Sequence, residues 1–522
     1  MKYCLIQLGC QMNISDGERI RTVLEHMGFE RTENEEEAAL LGIVACSVRQ
    51  KAIDKVYSRI ARWNSWKNER NLLTFVSGCI LPADRERFLN LFDLMFAIND
   101  LPQLPDMIRQ YGVVTPFSLQ GTVEADVSSA ALSAPGDGRK PPVADRNATG
   151  DTSEVPSGTQ GTGNGSTDNS HSNAPATLSR ESLRSAKPKR RVALTPEKPA
   201  EDRSTDYWRI SPSYTSGFEA FVPIQNGCDK FCTFCAVPYT RGREVSRPSS
   251  EILAEVRSLV DRGYRSITLL GQNVNSYGLD RGGKEISFAQ LLRAVGEIGS
   301  ETGREFWTYF TSPHPRDMTD EVIDTIAEYP VLAKQIHLPI QSGDDKVLIR
   351  MNRNHSVVRY RQIVEKIRAT IPEATLFTDI IVGFSGETEE QFENTRAAMR
   401  EFGYNMAYVA MYSPRPGAAS SRWPDDVPQD TKKERLQILS DELKTYSYEY
   451  NRSLIGRTLR VLVERPDKKD GFLSGKTEGK ITLRFPSEDR SLIGQFVYVQ
   501  ISDCAALSLE GKLVKKEAPL AV

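Results

Sequence analysis

The chain of 522 residues lacks long apolar runs and lacks a strong net charge. No stretch approaches the ~18 consecutive apolar residues that a membrane-spanning helix needs, so we expect no membrane contact. Lys and Arg total 67 against 69 Asp and Glu, which gives a formal charge of −2. Proteins that bind nucleic acid are often more basic, so any RNA site in this chain must be a local patch.

Cysteine and histidine are also scarce, with eight Cys and five His. Residues 1–10 are only faintly similar to a lipoprotein signal, because the apolar core is short, Gln7 interrupts it and acidic residues follow. We therefore expect a first β-strand in this segment and a cytoplasmic protein. Cysteines in such a reducing compartment indicate metal binding rather than disulfides.

Three cysteines stand in a C-x3-C-x2-C pattern in a loop that begins at Gly227. We call Cys228, Cys232 and Cys235 the barrel trio. No fourth Cys or His lies nearby, whereas a structural zinc site normally has four ligands. A four-iron cluster also usually takes four thiolates, so three would leave one iron free for a substrate or cofactor, with Phe234 against it. Three buried cysteines near a turn, or a different metal, are the alternatives.

Residues 1–116 alternate short apolar runs with helix-period patterns, the first of which covers residues 15–27. This alternation predicts a doubly wound α/β domain. Each of its first three strands ends in a cysteine, and we call Cys10, Cys46 and Cys79 the N-terminal trio. The carboxyl ends of parallel strands lie at one edge of the sheet, so these thiols are expected to converge there. Three small core residues are the alternative.

The composition changes along the rest of the chain. Residues 117–207 are rich in Gly, Ser, Thr, Pro, Asn and Asp and are expected to be disordered. Residues 214–451 contain six strand-like runs with helical patterns between them, which predicts a partial (β/α)6 barrel with its chemistry at the carboxyl ends of the strands. The alternating segments and turn glycines of residues 452–517 predict a small antiparallel β-barrel. That last part is locally basic and suits RNA, although an ordinary appendage is the alternative.

Several segments together carry a resemblance to a known family. The pattern C-x3-C-x-aromatic-C is similar to the signature of the radical S-adenosylmethionine (SAM) enzymes. Further segments are similar to one family within these enzymes, the methylthiotransferases. They are GCQMN at 9–13, CSVR at 46–49, VPYTRGRE at 237–244, LLGQNVNSYG at 269–278 and YSPRPG at 412–417. With an α/β domain, a radical SAM barrel and a TRAM-like barrel in this order, the chain resembles the radical SAM methylthiotransferases over nearly its whole length outside the predicted disordered segment.

The chain departs from the pattern of that family near the N-terminal trio. Val44 and Ala45 precede the second Cys, where the family usually has Asn-Thr. Residues 80–82 read Ile-Leu-Pro where the family usually has Ala-Gln, and Gly17 replaces a Ser. These differences leave the three thiols in place.

The resemblance implies two 4Fe-4S clusters, one on each trio, with SAM at the open iron of the cluster on the barrel trio. Within the family, residues 11–13 are similar to the branch that methylthiolates carbon 2 of isopentenylated adenosine next to the anticodon of tRNA. The implied partners are the anticodon stem-loop of tRNA and an electron donor such as flavodoxin or ferredoxin. We expect a monomer.

Three groups of residues at strand ends are expected to contact SAM, unless they are ordinary loop residues. They are Gly271, Gln272 and Asn273 after the second barrel strand, Gln341, Ser342 and Gly343 after the fourth, and Ile381, Val382 and Gly383 at the end of the fifth. Arg241, Arg243, Glu244 and Arg247 are expected at the same mouth, where they orient phosphate or carboxylate groups or pair with one another.

Other functions fit parts of the same pattern. Related branches of the family act on threonylcarbamoyl-adenosine in tRNA or on a ribosomal-protein aspartate. A non-catalytic iron–sulfur protein that binds RNA and senses redox state would use the thiols and the last barrel but not SAM.

Overall fold

The computed structural model describes residues 1–46, 50–67, 69–111 and 206–514. The predicted disordered segment, 117–207, lies outside the described residues except for its last two positions, and so does most of the CSVR motif. Within these ranges, none of the helices has both the length and the apolar content needed to cross a bilayer.

The N-terminal unit is a parallel sheet with helices on both faces. Its elements are β1 (Lys2–Gln7), α1 (Gln11–His26), β2 (Glu30–Arg31), β3 (Leu40–Cys46), α2 (Gln50–Trp66), β4 (Leu73–Cys79), α3 (Pro82–Leu91), β5 (Leu94–Met95) and α4 (Leu104–Gln110). The strand order is β2-β1-β3-β4-β5. Helix α1 contributes Ile20 and Leu24 to one apolar cluster. Helices α2 and α3 contribute Val56 and Phe88 to a separate one. The predicted doubly wound domain is confirmed.

The chain re-enters the described residues at a short 3-10 helix, Asp206–Arg209. Tyr207 and Trp208 are fully buried there and join the apolar cluster of α1. The N-terminal unit is therefore completed by Trp208 and by Tyr207, the last position of the predicted disordered segment, which is ordered and buried here.

The central unit alternates strands and helices. Its strands are β6 (Glu219–Pro223), β7 (Gln225–Asn226), β8 (Val245–Ser246), β9 (Ser266–Leu270), β10 (Trp307–Phe310), β11 (Gln335–His337), β12 (Thr375–Val382) and β13 (Met406–Met411). Its helices are α5 (Val237–Arg241), α6 (Ser249–Asp261), α7 (Phe288–Thr302), α8 (Asp320–Glu328), α9 (Asp345–Arg350), α10 (Val357–Thr370), α11 (Glu389–Phe402) and α12 (Gln429–Ser453).

Six parallel strands of this unit form a partial barrel, as predicted. They lie in two sheets of order β10-β9-β6 and β11-β12-β13, and a parallel bridge between Thr308 and Leu332 joins the two. The apolar core lies between the strands and their surrounding helices. Helix α11 begins at a capping box, in which Thr388 and Gln391 exchange hydrogen bonds.

The C-terminal unit is a closed five-stranded barrel. Its strands are β14 (Thr458–Pro466), β15 (Phe472–Thr477), β16 (Thr482–Pro486), β17 (Phe496–Ala505) and β18 (Ser508–Val514). The order is β14-β15-β16-β18-β17, and all neighbouring pairs are antiparallel except β16 and β18, which are parallel. The predicted small barrel is confirmed, with this one parallel pair.

The two outer units contact different parts of the central barrel. Met12 of α1 packs against Phe221 of β6 and Leu270 at the carboxyl end of β9. The C-terminal barrel contacts the amino ends of the strands, where Thr375 Oγ1 donates to the Gly479 carbonyl oxygen at 2.9 Å. The N-terminal unit therefore lies near the edge where barrel chemistry is expected, and the C-terminal barrel lies at the other end.

Candidate cluster and cofactor site

The structure brings the N-terminal trio together at the carboxyl edge of the first sheet. Cys46 and Cys79 end β3 and β4 and are paired in register. Cys10 directly precedes α1. A Cβ on Gly9 would lie only 2.7 Å from the Cβ of Cys46, and Gly9 has a φ of +119°, so glycine permits this close approach.

Asn13 ties the three cysteine-bearing segments to one another. Its Nδ2 donates to the carbonyl oxygens of Leu8 at 2.6 Å and Ala45 at 2.8 Å. Its Oδ1 lies 3.7 Å from the Cys79 sulfur, within reach of the thiol proton. One buried amide therefore fixes the segments before Cys10, before Cys46 and at Cys79.

Two thiols of the N-terminal trio, Cys46 and Cys79, are buried, and Cys10 is half-buried. Burial raises the pKa of Cys79 to about 12; nearby Arg241 acts in the opposite direction, whereas Cys10 and Cys46 raise it further. The mutual effect of the three sulfurs reflects their proximity. Iron binding would displace their protons, because thiolates and not thiols are the ligands.

The barrel trio lies in the loop between β7 and α5. The Cys228 amide donates to the Gly242 carbonyl oxygen at 3.3 Å, and the Cys235 amide donates to the Cys232 carbonyl oxygen at 2.9 Å. Gly227 starts the loop with a φ of +80°, and a Cβ there would lie 2.0 Å from the Arg243 carbonyl oxygen. The loop conformation therefore requires glycine at its first position.

A cationic donor lies beside one sulfur of each trio. In the barrel trio, Arg353 Nη1 donates to the Cys232 sulfur at 3.5 Å, and Arg353 Nη2 donates to the Pro339 carbonyl oxygen at 2.9 Å. Burial raises the pKa of Cys228 to about 12 and that of Cys235 to about 11, and the neighbouring thiols contribute to both increases. Guanidinium donors suit an anionic iron–sulfur cluster, which hydrogen bonds to its sulfurs stabilise.

Neither trio is arranged for a single metal ion. Among the residues that the structure describes, no three His, Cys, Asp or Glu side chains are close enough to hold one ion. A four-iron cluster binds each thiolate to a different iron, so its ligands lie farther apart than those of one ion. Three thiols without a fourth ligand among the described residues fit a cluster with one open iron better than a structural zinc ion, which normally has four ligands.

The first predicted group of SAM contacts lies beside the barrel trio. Gln272 Oε1 accepts a hydrogen bond from the Gly227 amide at 2.5 Å. Asn273 Nδ2 donates to Asp317 at 3.1 Å, and Asp317 pairs with Lys230 at 2.6 Å. The Asn273 Oδ1 atom is buried and has no hydrogen-bond partner in the described ranges, which fits a polar ligand.

The second group lies after β11, and part of it already serves local packing. Gln341 has a left-handed φ of 71° and forms a parallel bridge with Ile380. Ser342 Oγ and the Gly343 amide both lie within hydrogen-bond distance of Thr395 Oγ1, at 3.2 and 2.9 Å. Gly271, from the first group, also serves local packing, because it lies close against the Gln225 side chain.

The third group lies at the end of β12. Val382 is fully buried, and the Gly383 amide donates to Glu387 at 2.6 Å. Ile381 and Phe234 are half-buried and pack against one apolar cluster near α9. Phe234 therefore connects the barrel trio loop to the strand that ends in the third predicted group of SAM contacts.

Buried His314, half-buried His355 and buried Arg353 lie near the barrel trio, and none of them was assigned a site role from the sequence. His314 Nδ1 accepts from the Arg316 amide at 3.1 Å, so in the neutral ring the proton is on Nε2. Burial and the charge of Arg353 hold the pKa of His314 far below its ordinary value, and burial lowers that of His355 to about 4. His314 Nε2 and Arg353 Nε have no partners among the described residues, and such donors fit the carboxylate of a bound amino acid.

The four charged residues expected at one mouth are distributed over different surroundings. Arg241 reaches the N-terminal trio, and Arg243 is exposed. Glu244 is buried against Ser276, and Arg247 pairs with acidic residues of α6. They do not pair with one another, and only Arg241 contacts a cysteine of either trio in the described residues.

Three family models match the chain in the order of its structural units. The Radical SAM superfamily matches residues 222–399, "Uncharacterized protein family UPF0004" matches residues 2–98, and the TRAM domain matches residues 452–514. Radical SAM enzymes use a 4Fe-4S cluster and SAM, so these cofactors follow for the central barrel.

Several bacterial enzymes that share one name match this chain over nearly its whole length. The tRNA-2-methylthio-N(6)-dimethylallyladenosine synthase of Pseudomonas aeruginosa is 36% identical over 515 residues, which cover 97% of each chain. The synthase of Actinobacillus succinogenes is 35% identical over 98% of this chain and 91% of its own, and that of Francisella tularensis subsp. novicida is 34% identical over 97% and 98%.

Among solved structures, the radical S-adenosylmethionine methyltransferase TsrM from Kitasatospora setae matches with a TM-score of 0.47 and 12% identity, over 92% of this chain and 80% of that one. The full-length identity and the three matched models lead to one assignment: this chain is an enzyme that belongs to the radical SAM methylthiotransferase family.

Proposed function

We propose that the enzyme methylthiolates carbon 2 of isopentenylated adenosine next to the anticodon in tRNA. The observation that carries this proposal is the 36% identity, over 97% of both chains, to a tRNA-2-methylthio-N(6)-dimethylallyladenosine synthase. The GCQMN motif at residues 9–13 supports the same branch of the family.

The proposed cofactors are two 4Fe-4S clusters and two SAM molecules. The barrel trio would hold the cluster that binds SAM, and the N-terminal trio would hold the other. When bound, these groups supply the carbon-centred radical and the sulfur, and the protein supplies position and surroundings.

The chain's own contribution is to orient the two sites and to keep water away from them. Cys46, Cys79, Cys228 and Cys232 are all buried. Gln272 and Asn273 are proposed to bind the amino acid part of SAM, because they lie beside the barrel trio and Asn273 has an unpartnered buried oxygen. The groups after β11 and at the end of β12 are proposed to contact the ribose and the adenine.

The proposed macromolecular substrate is the anticodon stem-loop of a tRNA. On the C-terminal barrel, Arg457, Arg465, Lys468 and Lys512 are exposed and could contact phosphates. Lys480 instead lies over the Tyr309 ring at 4.0 Å, inside the contact with the central barrel. The basic surface for RNA is therefore smaller than the composition of this unit suggests. An electron donor such as flavodoxin or ferredoxin, and a monomeric state, are proposed as well.

Nucleoside analysis of tRNA from strains with and without the gene tests the proposed substrate. We expect methylthio-isopentenyl-adenosine to disappear and isopentenyl-adenosine to accumulate when the gene is deleted. The wild-type gene should restore the modified nucleoside, and a gene with Cys228→Ala should not. Unchanged methylthio-isopentenyl-adenosine would reject the substrate. A loss confined to the methylthio derivative of threonylcarbamoyl-adenosine would assign the enzyme to the related branch.

A further inference from the structure

Arg241 connects the loop of the barrel trio to the N-terminal trio. Its Nε donates to the Cys79 sulfur at 3.0 Å, and its Nη1 donates to Asn226 Oδ1 at 3.2 Å. Its Nη2 donates to Asn13 Oδ1 at 3.1 Å and to Asp16 Oδ2 at 2.6 Å. Only 3% of the side chain is exposed, so these contacts hold the guanidinium away from solvent.

Because Arg241 follows the barrel trio in the chain, its contacts bear on both the barrel trio and the N-terminal trio. Arg241 ends α5, the short helix that follows the barrel trio, and Asn226 ends β7 just before that trio. Asn226 Nδ2 donates back to the Arg241 carbonyl oxygen at 3.4 Å. The two residues therefore close the barrel trio loop, and the same guanidinium contacts a ligand of the other trio.

The charges around Cys79 are arranged so that Arg241 and Asp16 oppose each other. A guanidinium stays protonated in proteins, so its Nε can only donate to the sulfur. A hydrogen bond to a cluster sulfur and a nearby positive charge both favour the reduced, more negative cluster. Asp16 is 1% exposed in its side chain, and its carboxylate offsets the charge of Arg241.

We propose that Arg241 is a positioning residue that fixes the Cys79 ligand and raises the reduction potential of the cluster on the N-terminal trio, with Asp16 lowering it. This inference rests on the part of the proposed function that puts a cluster on that trio. It does not depend on which nucleoside or protein side chain receives the sulfur.

The test is a redox titration, followed by electron paramagnetic resonance, of the anaerobically reconstituted full chain. Cys228→Ala, Cys232→Ala and Cys235→Ala are combined in the background, so that only the cluster on the N-terminal trio is observed. Arg241→Gln should shift the potential to more negative values, and Asp16→Asn should shift it to more positive values. Each shift is expected to correspond to about a tenfold change in the reduction equilibrium, or about 59 mV for one electron.

Arg243→Gln is the matched control. This arginine stands two positions from Arg241, but 72% of its side chain is exposed, and water and salt screen its charge. It should leave the potential unchanged. Arg241→Lys keeps the charge without the planar fork, and its potential should lie between those of the wild type and Arg241→Gln.

Opposite shifts for Arg241→Gln and Asp16→Asn support the proposal, because a purely structural role would not reverse its sign between the two variants. Shifts in the same direction, or no shift, overturn it. If Arg241→Gln fails to retain iron, Arg241→Lys and Asp16→Asn are judged by the same signs. Absence of any cluster on the N-terminal trio also overturns the proposal. Correct shifts together with unchanged tRNA nucleosides would reject only the proposed substrate.

Discussion

At the scale of single residues, Asn13 shows how one buried amide joins two segments of the chain. Its Nδ2 satisfies two backbone carbonyl oxygens that lie before two different cysteines. Loss of a hydrogen bond to a buried carbonyl group costs about 1–3 kcal/mol where no other donor replaces it. The position of Asn13 on the first turn of α1 allows one amide to serve both segments.

Asn13→Ala is expected to release the cluster of the N-terminal trio and to leave that of the barrel trio in place. The chain should then retain about half of its iron. Iron and sulfide analysis after anaerobic reconstitution measures this. His26→Ala, at the exposed end of the same helix, is the control and should retain all of the iron. Full iron content in Asn13→Ala would contradict the role of this amide.

Glu244 is a buried carboxyl group whose ionisation lies near neutral pH. Its Oε1 accepts a hydrogen bond from the Ser276 hydroxyl at 2.5 Å. Burial raises the pKa of Glu244 from 4.5 to about 7. Between these values the folded chain holds a proton that the unfolded chain has lost, so folding stability falls as pH rises and levels off above about pH 7.

Glu244→Gln should remove this contribution, because the amide has the same shape and does not ionise. From about pH 5.5 to 7 the wild type should lose roughly 2 kcal/mol of stability relative to the variant, since one pKa unit corresponds to about 1.4 kcal/mol. Denaturant unfolding at a series of pH values measures the difference. Glu86→Gln, on the exposed side of α3, should keep the slope of the wild type. Equal slopes for all three chains would show that Glu244 ionises normally.

At the scale of elements, α1 illustrates what the sequence could and could not predict. The apolar period predicted a helix from residue 15, whereas α1 begins at Gln11. Asn13, Ser15, Asp16 and Arg19 are polar and yet buried, because the partial barrel covers their side of the helix. A hydrophobic pattern assigns such residues to solvent, so it detects neither the first turn nor the interface.

The loop of the barrel trio depends on glycine at two positions with different surroundings. Gly227 and Gly242 have φ values of +80° and +82°. A Cβ on Gly227 would lie 2.0 Å from a backbone oxygen, whereas a Cβ on Gly242 would meet nothing within 4 Å. Both positions have a positive φ that costs a non-glycine residue about 1–3 kcal/mol, but only the first carries a clash.

Gly227→Ala should therefore displace the loop and abolish cluster binding at the barrel trio, with loss of about half of the iron and of SAM cleavage. Gly242→Ala is the matched control, since it adds the same methyl group at nearly the same φ. It should retain its iron and be destabilised only modestly. Iron content and 5′-deoxyadenosine release measure the two outcomes. Equal iron loss in both variants would mean that backbone conformation alone, and not the close approach to Arg243, requires glycine.

Strand pairing shows a second limit of the sequence. Alternating segments and turn glycines predict the strands of the C-terminal barrel, and these strands form. The parallel pairing of β16 with β18 depends on how the barrel closes, which residues close in sequence do not encode. The cysteine spacings were visible in the sequence, but Arg353 and His355 come to the barrel trio only through the fold.

At the scale of the whole molecule, the two outer units lie against different ends of the partial barrel. The C-terminal barrel is fixed at the amino ends of the strands by an edge-to-face aromatic pair and an arginine. The rings of Trp307 and Phe496 are 4.6 Å apart, and the Arg460 guanidinium lies 5.0 and 4.8 Å from them. No sequence pattern predicted this arrangement, because contacts between units depend on three-dimensional surfaces.

Phe496→Ala is expected to loosen this docking by about 2 kcal/mol through lost packing and cation–π contact. Hydrogen exchange should increase at Trp307 and Gly479, while SAM cleavage by the distant barrel trio stays unchanged. Leu507→Ala, at the exposed turn between β17 and β18, is the control and should leave exchange at wild-type rates. Unchanged exchange in Phe496→Ala would mean that the remaining contacts hold the C-terminal barrel alone.

The central claim is that two separate sets of three thiolates each hold one four-iron cluster. Iron and sulfide analysis of three anaerobically reconstituted chains tests it most directly: the wild type, a variant with the N-terminal trio changed to alanine, and one with the barrel trio changed to alanine. We predict about eight iron atoms in the wild type and about four in each variant. Retention of all the iron by either variant, or its complete loss from either one, would contradict the claim.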